Sequence, residues 1–276
     1  MIGAVLRGLL VAIVIVMPAL LLAQASADAT QIALLCALLA FMFVTLEYAS
    51  EFPSLLTFRC APPFNRLRFL TLSATLLSLT VILNSGAEQS LTGRGLMALA
   101  HFCASWLDVP FSPVRLAVLS IPEAATETMS GLMRAATALS YTLSLLSIVI
   151  FAGLVYFFKW PTAQGTAFNV WVNLPLFDPT AGGDVLVRLQ RSARNSISAG
   201  ILLPFILPAL VKTSHGVIPL SIFDVSQSLI WGLTLWSFLP ASLIMRGIAL
   251  WKLTLMLKAE RRQNTAKEGA GGLQPA

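Results

Sequence analysis

The stretch LFDPTAGGDVLVRLQRSARN, residues 176–195, gathers two aspartates, two adjacent glycines and three arginines in a chain that is otherwise largely apolar. A glycine pair beside charged residues could cradle a phosphate. A phosphate loop, however, needs a lysine and then a serine or threonine directly after its last glycine. Here Gly182-Gly183 is followed by Asp184, whose carboxylate would repel the ligand. Each part has a structural use instead. Asp178-Pro179 starts a turn and the two glycines relax the backbone. Asp184 then stands where a helix N-cap accepts a backbone hydrogen bond. A helix from Val185 places Val185, Leu186, Leu189 and Ala193 on one face. Arg188, Arg191 and Arg194 recur every third residue on the other side, with Val187 as the one apolar intruder. The reading is a basic helix running into the membrane, able to dock on anionic lipid headgroups or on an acidic partner.

A second set of charges lies in EYASEFPSLLTFRCAPPFNRLRF, residues 47–69. Glu47 and Glu51 are one helical turn apart, and paired carboxylates can share a proton or hold a cation. No further oxygen-rich cluster is near in sequence, and arginines follow. The expectation is that the two acids pair with Arg59, Arg66 or Arg68, and that these three arginines belong to the same lipid- or partner-docking surface. Pro53, Pro62 and Pro63 stiffen the segment.

The remaining reactive side chains are sparse. Cys36, Cys60 and Cys103 form no CxxC pair and no zinc spacing. His101 and His215 fall outside the apolar runs, so they cannot face each other across a haem. Ser214 and His215 are neighbours, but adjacency in sequence does not supply a nucleophile with its base. The sequence therefore predicts no catalytic residue, no cofactor, no metal and no nucleic-acid partner. Its predicted partners are membrane lipids and another membrane protein.

The elements that carry these residues follow from composition. Charged residues are 11% of the chain and hydrophobic ones 57%, whereas soluble domains carry about 25% charged residues. So few charges cannot cover a water-facing surface. The fold class is all-α, a polytopic helical membrane protein, because only helices or closed barrels satisfy their backbone in lipid. Six apolar runs are long enough to cross: 9–23, about 30–48, 69–86, 135–158, 197–211 and about 225–245. None has a charged residue near its middle. Pro204 and Pro208, one turn apart in the fifth span, predict a bent or locally unwound helix. Pro18 and Pro240 also lie inside spans.

With the N-terminus inside, fourteen of the eighteen lysines and arginines fall on the inner side. Only Arg94, Arg115, Arg134 and Lys212 fall outside. The positive-inside rule then places both termini in the cytoplasm of an inner membrane. Residues 87–134 lie between two outer ends and read as short amphipathic helices on the outer leaflet or as a re-entrant element; two tilted extra spans are the alternative. The first span, behind Arg7 and ahead of Ala25-Ser26-Ala27, also has the parts of a signal peptide, and the reading preferred is a retained helix paired with the second span. Residues 1–262 form one transmembrane domain, with residues 159–196 as a cytoplasmic loop and basic helix. The helix after Gly247 continues past the membrane boundary, and the tail 263–276 is expected to be disordered.

Function at this level is a non-catalytic accessory, assembly or scaffold subunit of a membrane complex. The alternative is a transporter or channel for a small solute or lipid along the proline-containing fifth span. Against it, coupled transporters keep ionisable groups within the membrane.

Overall fold

The computed structural model describes residues 1–23, 25–84, 90–120, 127–158, 160–161, 170–177, 182–213 and 226–271. They form α1 (Ile2–Leu21), α2 (Ala27–Ala49), α3 (Phe64–Leu83), α4 (Leu91–Leu107), α5 (Pro113–Leu119), α6 (Glu127–Phe157), a single turn α7 (Val170–Asn173), α8 (Val185–Thr213) and α9 (Ser226–Gly271). No strand occurs among the described residues. Six helices, α1, α2, α3, α6, α8 and α9, are long and apolar enough to cross a membrane. The chain is a multi-pass helical membrane protein, with the six spans at the places the hydropathy runs predict.

The spans alternate in direction. One end gathers Tyr48, Arg7, Arg59, Asp184 and Arg261; the opposite end gathers Leu21, Asn84, Asp108 and Arg134. The first is called the basic end below. Helices α3, α6 and α9 form the centre, and α8 lies along α9 in the most extensive pairing of the molecule. Two apolar clusters fill the interior. One, around Leu76, Leu79, Ala135, Leu139 and Ile230, occupies the half away from the basic end. The other, around Phe58, Phe64, Phe151, Trp160 and Met245, sits under the basic end. Small and hydroxylated residues on α6, including Ala136, Ser140, Ser144 and Ser147, let neighbouring backbones approach.

Helices α1 and α2 make a hairpin at the edge of this bundle. Their outward side chains, such as Leu34, Leu38 and Phe43, are exposed in the isolated chain, as lipid-facing residues must be. The α1 end is tied to the bundle by Asn84, whose amide donates to the Leu21 carbonyl (3.2 Å) and whose amide oxygen accepts from the Ala23 N–H (3.2 Å).

Residues 91–119 are more closely packed than free interfacial helices would be. Helix α4 is 17 residues long, five more than the run LMALAHFCASWL suggested. It buries Ala100, Cys103 and Ala104 in the same cluster as Leu76 and Leu139. Asp108, just after α4, accepts ion pairs from Arg115 (3.3 Å) and Arg134 (2.9 Å), which clip α4, α5 and α6 together.

Two expectations change. Helix α8 is continuous through Pro204 and Pro208, so the local unwinding is not found. Pro208 has no N–H to give the Pro204 carbonyl one turn before it, and the Trp236 indole N–H donates to that carbonyl instead (3.1 Å). A partner helix thus satisfies the freed acceptor, a common remedy for proline in membrane helices. Trp236→Phe should leave this buried carbonyl without a donor and cost roughly 1–3 kcal/mol, read as a lower midpoint of thermal unfolding in detergent. The second change is at the tail: α9 runs to Gly271, past residue 263 where disorder was expected. Its last turns, AERRQNTAKEGAG, are mostly good helix formers. Residues 272–276 lie outside the described set.

Candidate functional site: arginines at the basic end

The site is built on the segment 50–63 and on helices α1, α2, α3, α8 and α9. The segment 50–63 between α2 and α3 is fixed first. Phe58 is 1% exposed and has a left-handed φ of 54°, a conformation that persists in a non-glycine residue only when its surroundings enforce it. Here its N–H donates to the Asn173 carbonyl (2.7 Å), and the Cys60 N–H donates to the Asn173 side chain (3.0 Å). Its ring packs against Phe64 and Trp160, with centroids 4.8 and 5.6 Å away. The result is a rigid platform for Arg59.

Glu47 completes that platform in a way the spacing did not predict. Among the described residues its carboxylate forms no ion pair with an arginine. It is 5% exposed and accepts the N–H groups of Ser54 (3.0 Å), Leu55 (3.1 Å) and Leu56 (3.0 Å), together with the Ser54 hydroxyl. Successive backbone N–H groups turned toward one point make an anion-binding nest, and Glu47 fills it. Arg59 goes to the backbone instead. It donates to the carbonyls of Glu47 and Ser50 (2.6 Å each) and of Glu51 (3.2 Å). Those are the open acceptors at the C-terminus of α2, where a cation is favoured. The expected pairing of Glu47 and Glu51 with Arg59, Arg66 or Arg68 is therefore corrected: among the described residues no ion pair joins these groups.

Arg59, Arg66 and Arg68 do come together, and Arg7 of α1 joins them around one cavity of about 670 Å³. Arg68 is held by the Ser242 hydroxyl of α9 (3.0 Å) and by Asn65 (3.4 Å), with its guanidinium over the rings of Phe64 and Phe238. Arg7 lies over the Tyr48 ring at 4.8 Å. Arg66 is exposed. Away from the arginines the cavity wall is apolar, formed by Leu10, Val11, Val44, Phe69 and Leu72.

The second group lies on α8. Asp184 caps this helix as its position predicted, accepting the Leu186 N–H at 3.0 Å. It also accepts an ion pair from Arg261 of α9 at 3.0 Å, which no local pattern announced. The Leu186 N–H, and next the Arg261 guanidinium, hold the Asp184 carboxyl below its usual value of 3.8. A depressed carboxylate stabilises the fold above its unfolded-state pKa, and that contribution is lost as pH falls through the folded-state value. Fraying of the first turn of α8, followed by amide exchange at Leu186, should therefore increase on acidification. Asp184→Ala should show the frayed behaviour already at neutral pH and lose the pH dependence. Asp178 and Pro179 lie outside the described residues.

Beyond the cap, Leu186, Leu189 and Ala193 are buried while Arg191 and Arg194 are exposed, as the helical face predicted. Val185 and Arg188 are half-buried. Arg188 stacks on Phe177 at 4.8 Å. Arg188 and Arg191 share an open groove of about 550 Å³ with Phe177, Asn195 and Arg246; Arg194 does not line it. Arg246 was missed as a site residue because the sixth span seemed to end at Met245. It lies roughly 30 Å along α9 from Gln227, about one hydrocarbon thickness, and so at the basic-end edge of the apolar layer. Its Nε is buried with no hydrogen-bond partner among the described residues. Both arginine groups reach α9, Arg68 through the Ser242 hydroxyl and Arg188 and Arg191 in the groove they share with Arg246. Among the described residues no group of three or more His, Cys, Asp or Glu side chains could hold a metal ion.

No protein-family model, curated protein or solved structure matches this chain.

Proposed function

We propose that this protein is a non-catalytic accessory, assembly or scaffold subunit of a larger complex in an inner membrane, with both termini in the cytoplasm. Its docking element is the groove of Arg188, Arg191 and Arg246, and the partner segment it takes is acidic. The observation that carries this reading is the convergence of Arg188 and Arg191 of α8 with Arg246 of α9, more than fifty residues further along the chain, on an open groove with an aromatic wall at Phe177. Rigid placement of arginine beside an aromatic ring is the chemistry of carboxylate recognition at interfaces.

The alternative, a solute or lipid path along the fifth span, has less support. Its main feature was a proline-broken helix, and α8 is unbroken, with the Pro204 carbonyl satisfied by Trp236.

A photo-crosslinking amino acid at Asn195, which is exposed on the groove, tests the docking directly. In native membranes it should give one discrete protein adduct through an Asp- or Glu-rich segment. The same probe at the outward-facing Leu38 should give lipid adducts. Lipid adducts alone from both positions would sink the reading. Orientation has its own reporter in Cys60, which is exposed at the basic end. A membrane-impermeant maleimide should label it in inside-out vesicles and not in intact cells.

A further inference from the structure

We propose that the cavity of Arg7, Arg59, Arg66 and Arg68 binds the phosphate-bearing headgroup of an anionic glycerophospholipid, with an acyl chain against the apolar wall between the α1–α2 hairpin and α3. The proposal does not depend on the subunit reading, since the lipid would be held whether the protein acts alone or in a complex.

Charge is the first argument. Four guanidinium groups from three separate elements line one cavity with no carboxylate in its wall. The Glu47 carboxylate is taken up by the N–H groups of Ser54, Leu55 and Leu56. Among the described residues no carboxylate forms an ion pair with any of the four arginines. Like charges gathered this closely repel, and a bound anion relieves that repulsion.

Preorganisation is the second argument. Arg68 is fixed by Ser242, Asn65 and two aromatic rings, and Arg59 by three carbonyls. A guanidinium has five N–H donors, so both keep donors for a phosphate oxygen. Arginine is the residue suited to that bidentate recognition. Arg7 and Arg66 remain exposed and can close on the headgroup.

The shape of the cavity selects a lipid over a free anion. Its arginines lie at the basic end, where headgroups sit. Leu10, Val11, Val44, Phe69 and Leu72 continue from there along α1, α2 and α3. A soluble phosphate would gain nothing from that apolar wall, whereas an acyl chain buries methylenes against it.

The experiment uses the full-length protein in a mild zwitterionic detergent, with thermal unfolding as the readout. The probes are dioleoyl phosphatidylglycerol, dioleoyl phosphatidylcholine and inorganic phosphate. Phosphatidylglycerol should raise the unfolding midpoint in a saturable way, and the other two should not at the same concentrations. Arg66→Gln should weaken the phosphatidylglycerol effect about fivefold, as expected for one arginine at an anionic lipid. Arg7→Gln combined with Arg66→Gln should weaken it by more than about tenfold. Both side chains are exposed, so these variants keep the fold; Arg262→Gln, exposed and lining neither cavity, should leave the effect unchanged. Equal stabilisation by phosphatidylcholine would overturn the proposal, as would an undiminished effect in the double variant. Stabilisation by inorganic phosphate alone would also overturn it, assigning the arginines to a free anion.

Discussion

Gly247→Ala and Gly200→Ala should each destabilise the protein by about 1–3 kcal/mol, although alanine favours a helix over glycine by about 1 kcal/mol. The opposition of those two signs makes the result diagnostic. Gly200 of α8 faces the backbone of α9: a Cβ there would lie 2.7 Å from the Pro240 carbonyl oxygen and 3.1 Å from the Ile244 nitrogen. Gly247 of α9 faces α8 in return, where a Cβ would lie 2.9 Å from the Ala193 carbonyl oxygen and 3.1 Å from the Ile197 nitrogen. Backbone cannot swing aside as a side chain can, so a methyl group forces the helices apart. That separation would loosen the longest pairing in the molecule and move Arg246 away from Arg188 and Arg191. Both single variants should unfold at lower temperature. The double variant should cost less than the sum of the two, because a single separation of α8 from α9 relieves both contacts. An unchanged or raised midpoint for Gly247→Ala would show that α8 and α9 do not approach this closely.

Glu47→Ala should cost roughly 2–4 kcal/mol, since it strips a buried acceptor from three backbone N–H groups at once. The local consequence is larger than that figure suggests. The N–H groups of Ser54, Leu55 and Leu56 would turn out toward water, and the segment that presents Arg59 would lose its anchor at one end. Asn173 holds the other end through Phe58 and Cys60. Glu47→Gln separates shape from charge: one amide oxygen keeps part of the nest, while its NH₂ group faces donors. It should fall between wild type and alanine. Proteolytic cleavage within residues 50–57, slow in the wild type and fast in Glu47→Ala, would read the loosening directly. If Glu47→Ala unfolded at the wild-type temperature and resisted protease equally, the nest would carry no weight.

Comparison of these features with the sequence shows which physical signals are local. The spans were legible because a membrane helix is written as a continuous apolar run. The Asp184 cap was legible because a cap acts within one turn, and the face of Leu186, Leu189 and Ala193 because helical period alone decides it. The basic site was legible only in part. Arg59, Arg66 and Arg68 are neighbours in sequence and could be grouped, but Arg7 reaches them through a hairpin and Arg246 through α9. Nothing in a lone arginine at a span boundary reveals which other boundary it faces. Glu47 was misread for the same reason: its partners are backbone N–H groups, which every sequence contains and none advertises. Trp236 carried a faint signal, a tryptophan well inside a span, but only the fold shows that it serves the carbonyl left open by Pro208.

The central claim, docking of an acidic partner through the basic groove, is tested most directly by purification from native membranes in mild detergent. The wild type is compared with the combined variant Arg188→Gln and Arg191→Gln. The wild type should be recovered with another membrane protein in fixed stoichiometry. The double variant should insert, unfold at the wild-type temperature and be recovered without that partner. A wild type recovered alone, or a double variant that keeps its partner in full, would contradict the docking.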